Sequence, residues 1–286
     1  MIRSIQVVIA SIGITAASTN GCAQEPVPGD KPSLNDPLTE AEREPLQDDF
    51  VHPGDIAKTA FGQPAGATRL GKDNLWIDKD QQRVYIDGYV AMREGPLEML
   101  ACPVGSKEHE SVIAVLARSS KVHAALLAVG AKPGTPVAFL PKFVPATGQR
   151  IRVWVCYRDK DGKFQAVDAR RWIRKGESDA DLQEDWVFGG SGFWKDPRSN
   201  QEYYSADGGD MICVSNFASA MMDIPIASSA EASQLMYTPF TERIPERGLP
   251  VRVVLVPIPL PKDKPDDSPK IDPDKPPGQN ILSQVE

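Results

Sequence analysis

Between residues 71 and 260 the apolar positions recur with a period near two. Val84, Ile86 and Val90 alternate with Tyr85, Asp87 and Tyr89; Ile151, Val153 and Val155 alternate with Arg150, Arg152, Trp154 and Cys156; and Arg252 interrupts a valine-rich run over 251–256. A period of two in β-branched and aromatic residues predicts strands. Asp159, Lys160, Asp161, Gly162 and Lys163 read as a hairpin turn, with Gly162 free to take positive φ, joining the strand that ends near Arg158 to one over 164–167. A second hairpin is expected to run from Trp186, Val187 and Phe188 to Glu202, Tyr203 and Tyr204, with a further strand over 211–214 and another over 112–116. Only one stretch has clear helical spacing: Val122, Ala125, Leu126 and Val129 fall at i, i+3, i+4 and i+7 between a cap at Ser119 or Ser120 and a stop at Gly130. A shorter helix is expected over 217–222. Mostly antiparallel sheet with a few short helices is the α+β class, here flanked by disordered termini.

The ends follow another pattern. Arg3, a largely apolar run over 5–17 and the small or polar run Ser18, Thr19, Asn20, Gly21, Cys22, Ala23 follow the order of parts in a secretory signal peptide, so residues 1–23 are read as one. Cleavage after Gly21 with lipid on Cys22, and plain cleavage after Ala23, both fit. Either sends the protein to the periplasm or cell envelope, or out of the cell, with Cys22 as the lipoprotein anchor in the first case. Residues 24–70 are rich in proline and acid near their start and read as a tether; residues 261–286 read as a second, charged and proline-rich tail. The domain proper is expected over 71–260, and no other stretch approaches the roughly 18 apolar residues of a membrane-spanning helix.

The formal net charge of −7 argues against nucleic acid or anionic lipid as a partner, because either requires a basic field. An envelope ligand or protein is the expected partner, and contact with a membrane is expected only through a lipid on Cys22. Of the four cysteines, processing removes Cys22 from pairing, leaving Cys102, Cys156 and Cys213. An odd number leaves one over: Cys156 and Cys213 either bridge or stay as buried thiols, and Cys102 is the one without a partner if they bridge.

Chemistry-bearing side chains are densest over 97–127. Cys102, His109, His123 and Glu110 are a sufficient donor set for zinc or another divalent metal, although no short zinc motif is present: Ile113 stands where the second histidine of H-E-x-x-H would be. Cys102, Glu110 and Lys107 are the catalytic candidates, Cys102 as a thiol whose pKa the surroundings beside His109 could lower and Glu110 as general base, with Glu108 alongside. Each has a plain alternative. His123 borders the apolar face of a helix, where a histidine bonded to backbone is common; Lys107 to Glu110 are a charged loop before a strand; Cys102 is a small buried residue. Gly189 to Gly192 and Asp207 to Asp210 read as turns, and Trp186, Phe193, Trp194, Tyr203 and Tyr204 as either core aromatics or a platform for sugar or peptide.

Several pieces together resemble one family. Asp87-Gly88-Tyr89, Glu94-Gly95-Pro96-Leu97-Glu98, Cys102-Pro103 with Gly105, Lys107 and His109-Glu110-Ser111 are followed by Val122-His123-Ala124-Ala125-Leu126-Leu127 and Gly130-Ala131-Lys132-Pro133-Gly134. Trp186-Val187-Phe188, Gly190-Ser191-Gly192-Phe193 and Val214-Ser215-Asn216-Phe217 leading to Asp223 complete the set. This resembles the YdjY-domain proteins, secreted proteins of planctomycete-type bacteria with no established activity. The resemblance implies a fold and an exported setting, and brings no substrate. Two functional classes remain: a non-catalytic module that binds a ligand or partner, and a metal-binding or thiol-dependent enzyme or redox protein built on Cys102, His109, Glu110 and His123.

Overall fold

The computed structural model describes residues 51–176, 178–229, 235–261 and 272–283. The expected signal peptide and the tether up to residue 50 lie outside the described residues, as do 262–271 and 284–286 of the tail. The strands are β1 (Thr68–Arg69), β2 (Leu75–Asp78), β3 (Arg83–Val90), β4 (Met99–Pro103), β5 (Ser111–Val115), β6 (Arg150–Arg158), β7 (Phe164–Asp168), β8 (Ile173–Lys175), β9 (Trp186–Val187), β10 (Phe193–Lys195), β11 (Glu202–Tyr204), β12 (Ile212–Cys213), β13 (Tyr237–Pro239) and β14 (Pro250–Pro257). The helices are α1 (Pro53–Ala60) and α2 (Ser119–Ala128). No helix of the described residues is long and apolar enough to cross a membrane.

Ten strands form one sheet whose main path is β12-β4-β5-β3-β14-β6-β7, antiparallel except for the β4–β5 pair. β14 lies within it, between β3 and β6. The far edge of β3 is shared end to end: β2 pairs with its first half and β5 with residues 88–90. The chain needs a glycine at that junction, because a Cβ on Gly88 would stand 2.3 Å from the Ala114 carbonyl oxygen. The α+β expectation holds, and so do the 159–163 hairpin, with Gly162 at φ 75°, and the helix that ends before Gly130 at φ 89°.

Two elements differ from their sequence reading. Residues 217–222 form a turn rather than a helix, closed by Ala220 N–H on the Phe217 carbonyl at 2.9 Å. Met221 and Met222 are fully buried and send their N–H groups to Asp210 and Met211, so tertiary pairing claims donors that a helix would have used. The second hairpin also starts later than expected. Trp186 and Val187 pair with β6, and after a bend through Gly190 (φ 89°) and Ser191 (φ 54°) the hairpin is made by β10 and β11.

Alternation along β3, β6 and β14 gives the sheet two unlike faces. On the first, Val84, Ile86, Val153, Val155, Val251, Val253 and Leu255 join Val122, Ala125 and Leu126 of α2 in the main apolar core. On the second, Trp76, Tyr85, Trp154, Cys156, Val254 and Val256 are covered by Phe61 and Ala67 from one end of the domain and Ile281 and Leu282 from the other.

Arginines fasten these two arms. Arg252, with no exposed surface, forms a bidentate pair with the equally buried Asp87 (2.6 and 3.0 Å), donates to the carbonyls of Gly62 (2.9 Å) and Ile281, and lies over the Trp76 ring at 4.7 Å. Arg152 reaches Asp274 at 2.9 Å, Trp154 Nε1 donates to the Pro273 carbonyl at 3.1 Å, and Gly62 N–H donates to the Ser283 carbonyl at 2.9 Å. Composition alone did not announce this packing of 51–70 and 272–283, because a few apolar anchors and backbone carbonyls do the work amid proline and charge.

Candidate functional site

The two parallel strands β4 and β5 are joined by a short connection, 104–110, that must run back along the sheet to restore register, with Met99 opposite Ser111. Its end is a single 3-10 turn over Glu108–Glu110. The charged run Lys107, Glu108, His109, Glu110 is therefore a crossover at the sheet edge, and this brings it against Glu98, just before β4, and Asp210, just before β12.

Four charged groups interlock here. Lys107 Nζ lies 3.0 Å from Asp210 Oδ1 and 4.7 Å from the centre of the Phe217 ring. Ser219 Oγ donates to the other Asp210 oxygen. Burial opposes the Lys107 ammonium, but Asp210 outweighs it and holds the pKa above the ordinary lysine value. Burial and the adjacent Glu110 carboxylate push Glu98 up to about 7, so at neutral pH its carboxyl retains much of its proton and donates it to Glu110. Glu110 is lowered by that hydrogen bond, and accepts also from His109 Nε2 at 2.7 Å. Nearby, Asp223 is pushed up to about 8 by burial, against hydrogen bonds from Asn216 (3.1 Å) and the Ile224 N–H (2.8 Å).

The structure separates the residues proposed as metal ligands. His109 carries a mostly exposed ring on the crossover. Cys102 is fully buried beside Ser106 and Ser111, and burial raises its pKa. His123 lies on α2 in a different setting: Nδ1 is 2.8 Å from the Tyr204 hydroxyl and the ring packs edge-on against Phe188. That hydroxyl donates to the Gly190 carbonyl at 3.1 Å, so its oxygen accepts and Nδ1 of His123 is the donor. Burial depresses the pKa of His123, which favours the neutral ring. Among the described residues no three His, Cys, Asp or Glu side chains come together to hold a metal ion, so Cys102, His109, His123 and Glu110 do not form the expected donor set. The physical reason is direction: the crossover turns His109 outward, while β4 turns Cys102 into the protein.

The thiol reading loses its geometry for the same reason. Cys102, Cys156 and Cys213 are all free and buried, and burial raises each pKa, that of Cys156 to about 12. Cys156 and Cys213 are on β6 and β12, well apart in the strand order, so no bridge joins them. Lys107 is engaged by Asp210 and is not placed to activate Cys102.

The exposed surface is more distinctive. β10 and β11 carry Trp194 stacked on Tyr203 (ring centroids 5.0 Å apart, planes 20° apart), with Trp194 51% and Phe193 68% exposed. A second apolar hairpin closes through paired bonds between Ala138 and Val144 and presents Phe139, Phe143 and Leu140, the last 88% exposed. Both leave the body beside 188–192: Gly134 N–H donates to the Phe188 carbonyl and Ser205 N–H to the Gly192 carbonyl, each at 2.9 Å. Sequence reasoning found the first hairpin's aromatics and missed the second. The signal was there, in an apolar run between Pro136 and Pro145 too short and too proline-bounded to enter the sheet. Glu98 and Asp210 were missed because only the fold brings them to the crossover.

Against known proteins, no curated protein and no solved structure matches the chain. The model of the YdjY domain matches residues 75–256, which takes in the sheet from β2 to β14, the crossover and both aromatic hairpins. By that match, over more than half its length, the chain belongs to the YdjY domain family, whose function is uncharacterised.

Proposed function

We propose that this is an exported cell-envelope protein that works by binding a protein partner rather than by catalysis, and that the contact surface is the pair of aromatic hairpins at 138–144 and 193–204. The observation that carries the reading is the exposure of Leu140, Phe193 and Trp194 on two hairpins that both leave the body beside 188–192. Contiguous exposed apolar groups cost solubility unless they are covered, and Trp, Tyr and Arg are the side chains that concentrate binding energy in protein interfaces. Lys142, Lys195 and Arg198 lie in the same two loops with Asp196 and Glu202, so the complementary surface is apolar with a polar rim of mixed charge. The dispersal of Cys102, His109 and His123 supports binding over chemistry. The acid cluster supports it too, because Glu98, Glu110, Lys107 and Asp210 satisfy one another.

A photo-crosslinking residue placed at position 194 in intact cells is expected to give a discrete protein adduct, lost when Leu140→Asp is added. The same residue at position 160, in the β6–β7 turn, is expected to give none. Equal labelling at both positions, or at neither, overturns the surface; recovery of the protein in the cytoplasmic fraction overturns export.

A further inference from the structure

The second face of the sheet carries two buried arginines in opposite conditions. Arg252 has acceptors for all three guanidinium nitrogens, two of them on the Asp87 carboxylate. Arg83, on the same face of β3 and only 3% exposed, has no carboxylate of the described residues within ion-pairing distance, and its Nε has no hydrogen-bond partner. Asp78 is its direct cross-strand neighbour, but the Asp78 carboxylate turns back to cap the following turn, accepting from Gln81 N–H at 2.8 Å. The Tyr85 hydroxyl shares a hydrogen bond with Arg83, which together with the guanidinium charge opposes the rise that burial gives the Tyr85 pKa, but it is neutral and supplies no counter-charge. A guanidinium cannot shed its proton to relieve burial, so a buried one without a counter-charge is held at a substantial cost in free energy.

Arg83 also lines a cavity of about 510 Å³ that opens between the sheet and the C-terminal arm. Tyr85, Pro276, Pro277 and Ile281 supply apolar wall, and Lys275 stands at the rim. The one acid in the lining, Asp272, bends onto its own turn, accepting from Asp274 N–H at 2.9 Å. A volume of this size, partly open to solvent, with an apolar wall on one side and a buried guanidinium among its polar groups, has the form of a small-ligand pocket. We infer that the cavity binds a small organic oxyanion, a carboxylate or a phosphate ester, whose charged end takes the two-pronged guanidinium of Arg83 while its body rests on Tyr85 and the prolines of the arm. The site is independent of the aromatic hairpins, and its failure would leave that proposal standing.

The test is thermal melting of the full chain in buffer with chloride as the only anion, then with inorganic phosphate or acetate at matched ionic strength. The wild type is expected to gain several degrees in a saturable way with the anion whose chemistry fits, and the two arms tell phosphate from carboxylate. Arg83→Met is expected to melt above the wild type in chloride, because it removes an unpaired buried charge while keeping the packing, and to lose the saturable gain. Lys275→Gln, on the exposed rim, is expected to fold normally and weaken binding several-fold. No saturable gain in the wild type, an equal gain in Arg83→Met, or an Arg83→Met protein that melts below the wild type in chloride would each overturn the site.

Discussion

The two faces of the central sheet solve the same problem with different materials. The first is sealed by aliphatic side chains from α2 and the long connections, packed against valines and isoleucines of β3, β6 and β14. The second is sealed by two arms from the ends of the domain, and what holds them is directional: Arg252 on Asp87 and on the carbonyls of Gly62 and Ile281, Arg152 on Asp274, and Trp154 on Pro273. An aliphatic face tolerates small losses anywhere, whereas a face clasped through a few polar groups depends on each of them.

The sharpest way to break that contrast is Arg252→Ala. It leaves the Asp87 carboxylate buried without its partner and is expected to cost about 3–5 kcal/mol in urea melts. Both arms should lose amide protection together, read at Gly62 and Leu282. Leu100→Ala removes a fully buried side chain of the first face and is expected to cost about 2–5 kcal/mol through the cavity it leaves. Here the arm amides should open only with the whole domain. If Arg252→Ala spares the arms, or Leu100→Ala releases them, the division of labour between the faces is wrong.

The carboxyl cluster at the β12 edge is held by shared protons, and pH separates it from both faces. Glu98 at about 7 and Asp223 at about 8 lie above their ordinary values of 4.5 and 3.8, so the folded state holds protons that the unfolded state has released. The stability they contribute is complete below the ordinary values and is lost as pH rises through about 7 and then about 8. Glu110, lowered by Glu98, acts in the opposite sense only in acid. The melting temperature is therefore expected to fall from about pH 4 to about pH 8 and to level off above, and Glu98→Gln with Asp223→Asn to flatten that fall. An unchanged slope in the double variant would place the titration elsewhere.

The smallest effect belongs to the exposed hairpin. Trp194→Ala removes a solvent-facing cross-strand pair and is expected to cost no more than about 1 kcal/mol in the same melts. A larger loss would make the Trp194–Tyr203 stack part of the fold, and its exposure would no longer argue for a partner.

What the sequence made legible follows from the range of each signal. β3, β6, β14, the 159–163 turn and α2 depend on neighbours within a few residues, and their periods are plain. The arms depend on single contacts such as Ile281 with Arg252, which proline-rich composition conceals. The closeness of Cys102, His109 and Glu110 along the chain suggested convergence, but the short crossover between parallel strands turns consecutive side chains to different environments. Glu98 and Asp210, more than a hundred positions apart, are the groups that meet.

The hydrogen bond between Gly62 and Ser283 lies outside residues 75–256, and so do Phe61, Ala67, Ile281 and Leu282. A recombinant fragment trimmed to the matched family limits would keep every long strand yet strip the cover from Trp76, Tyr85 and Trp154, presenting water with an aromatic sheet inclined to aggregate. A recombinant chain should therefore start before His52 and run through Ser283.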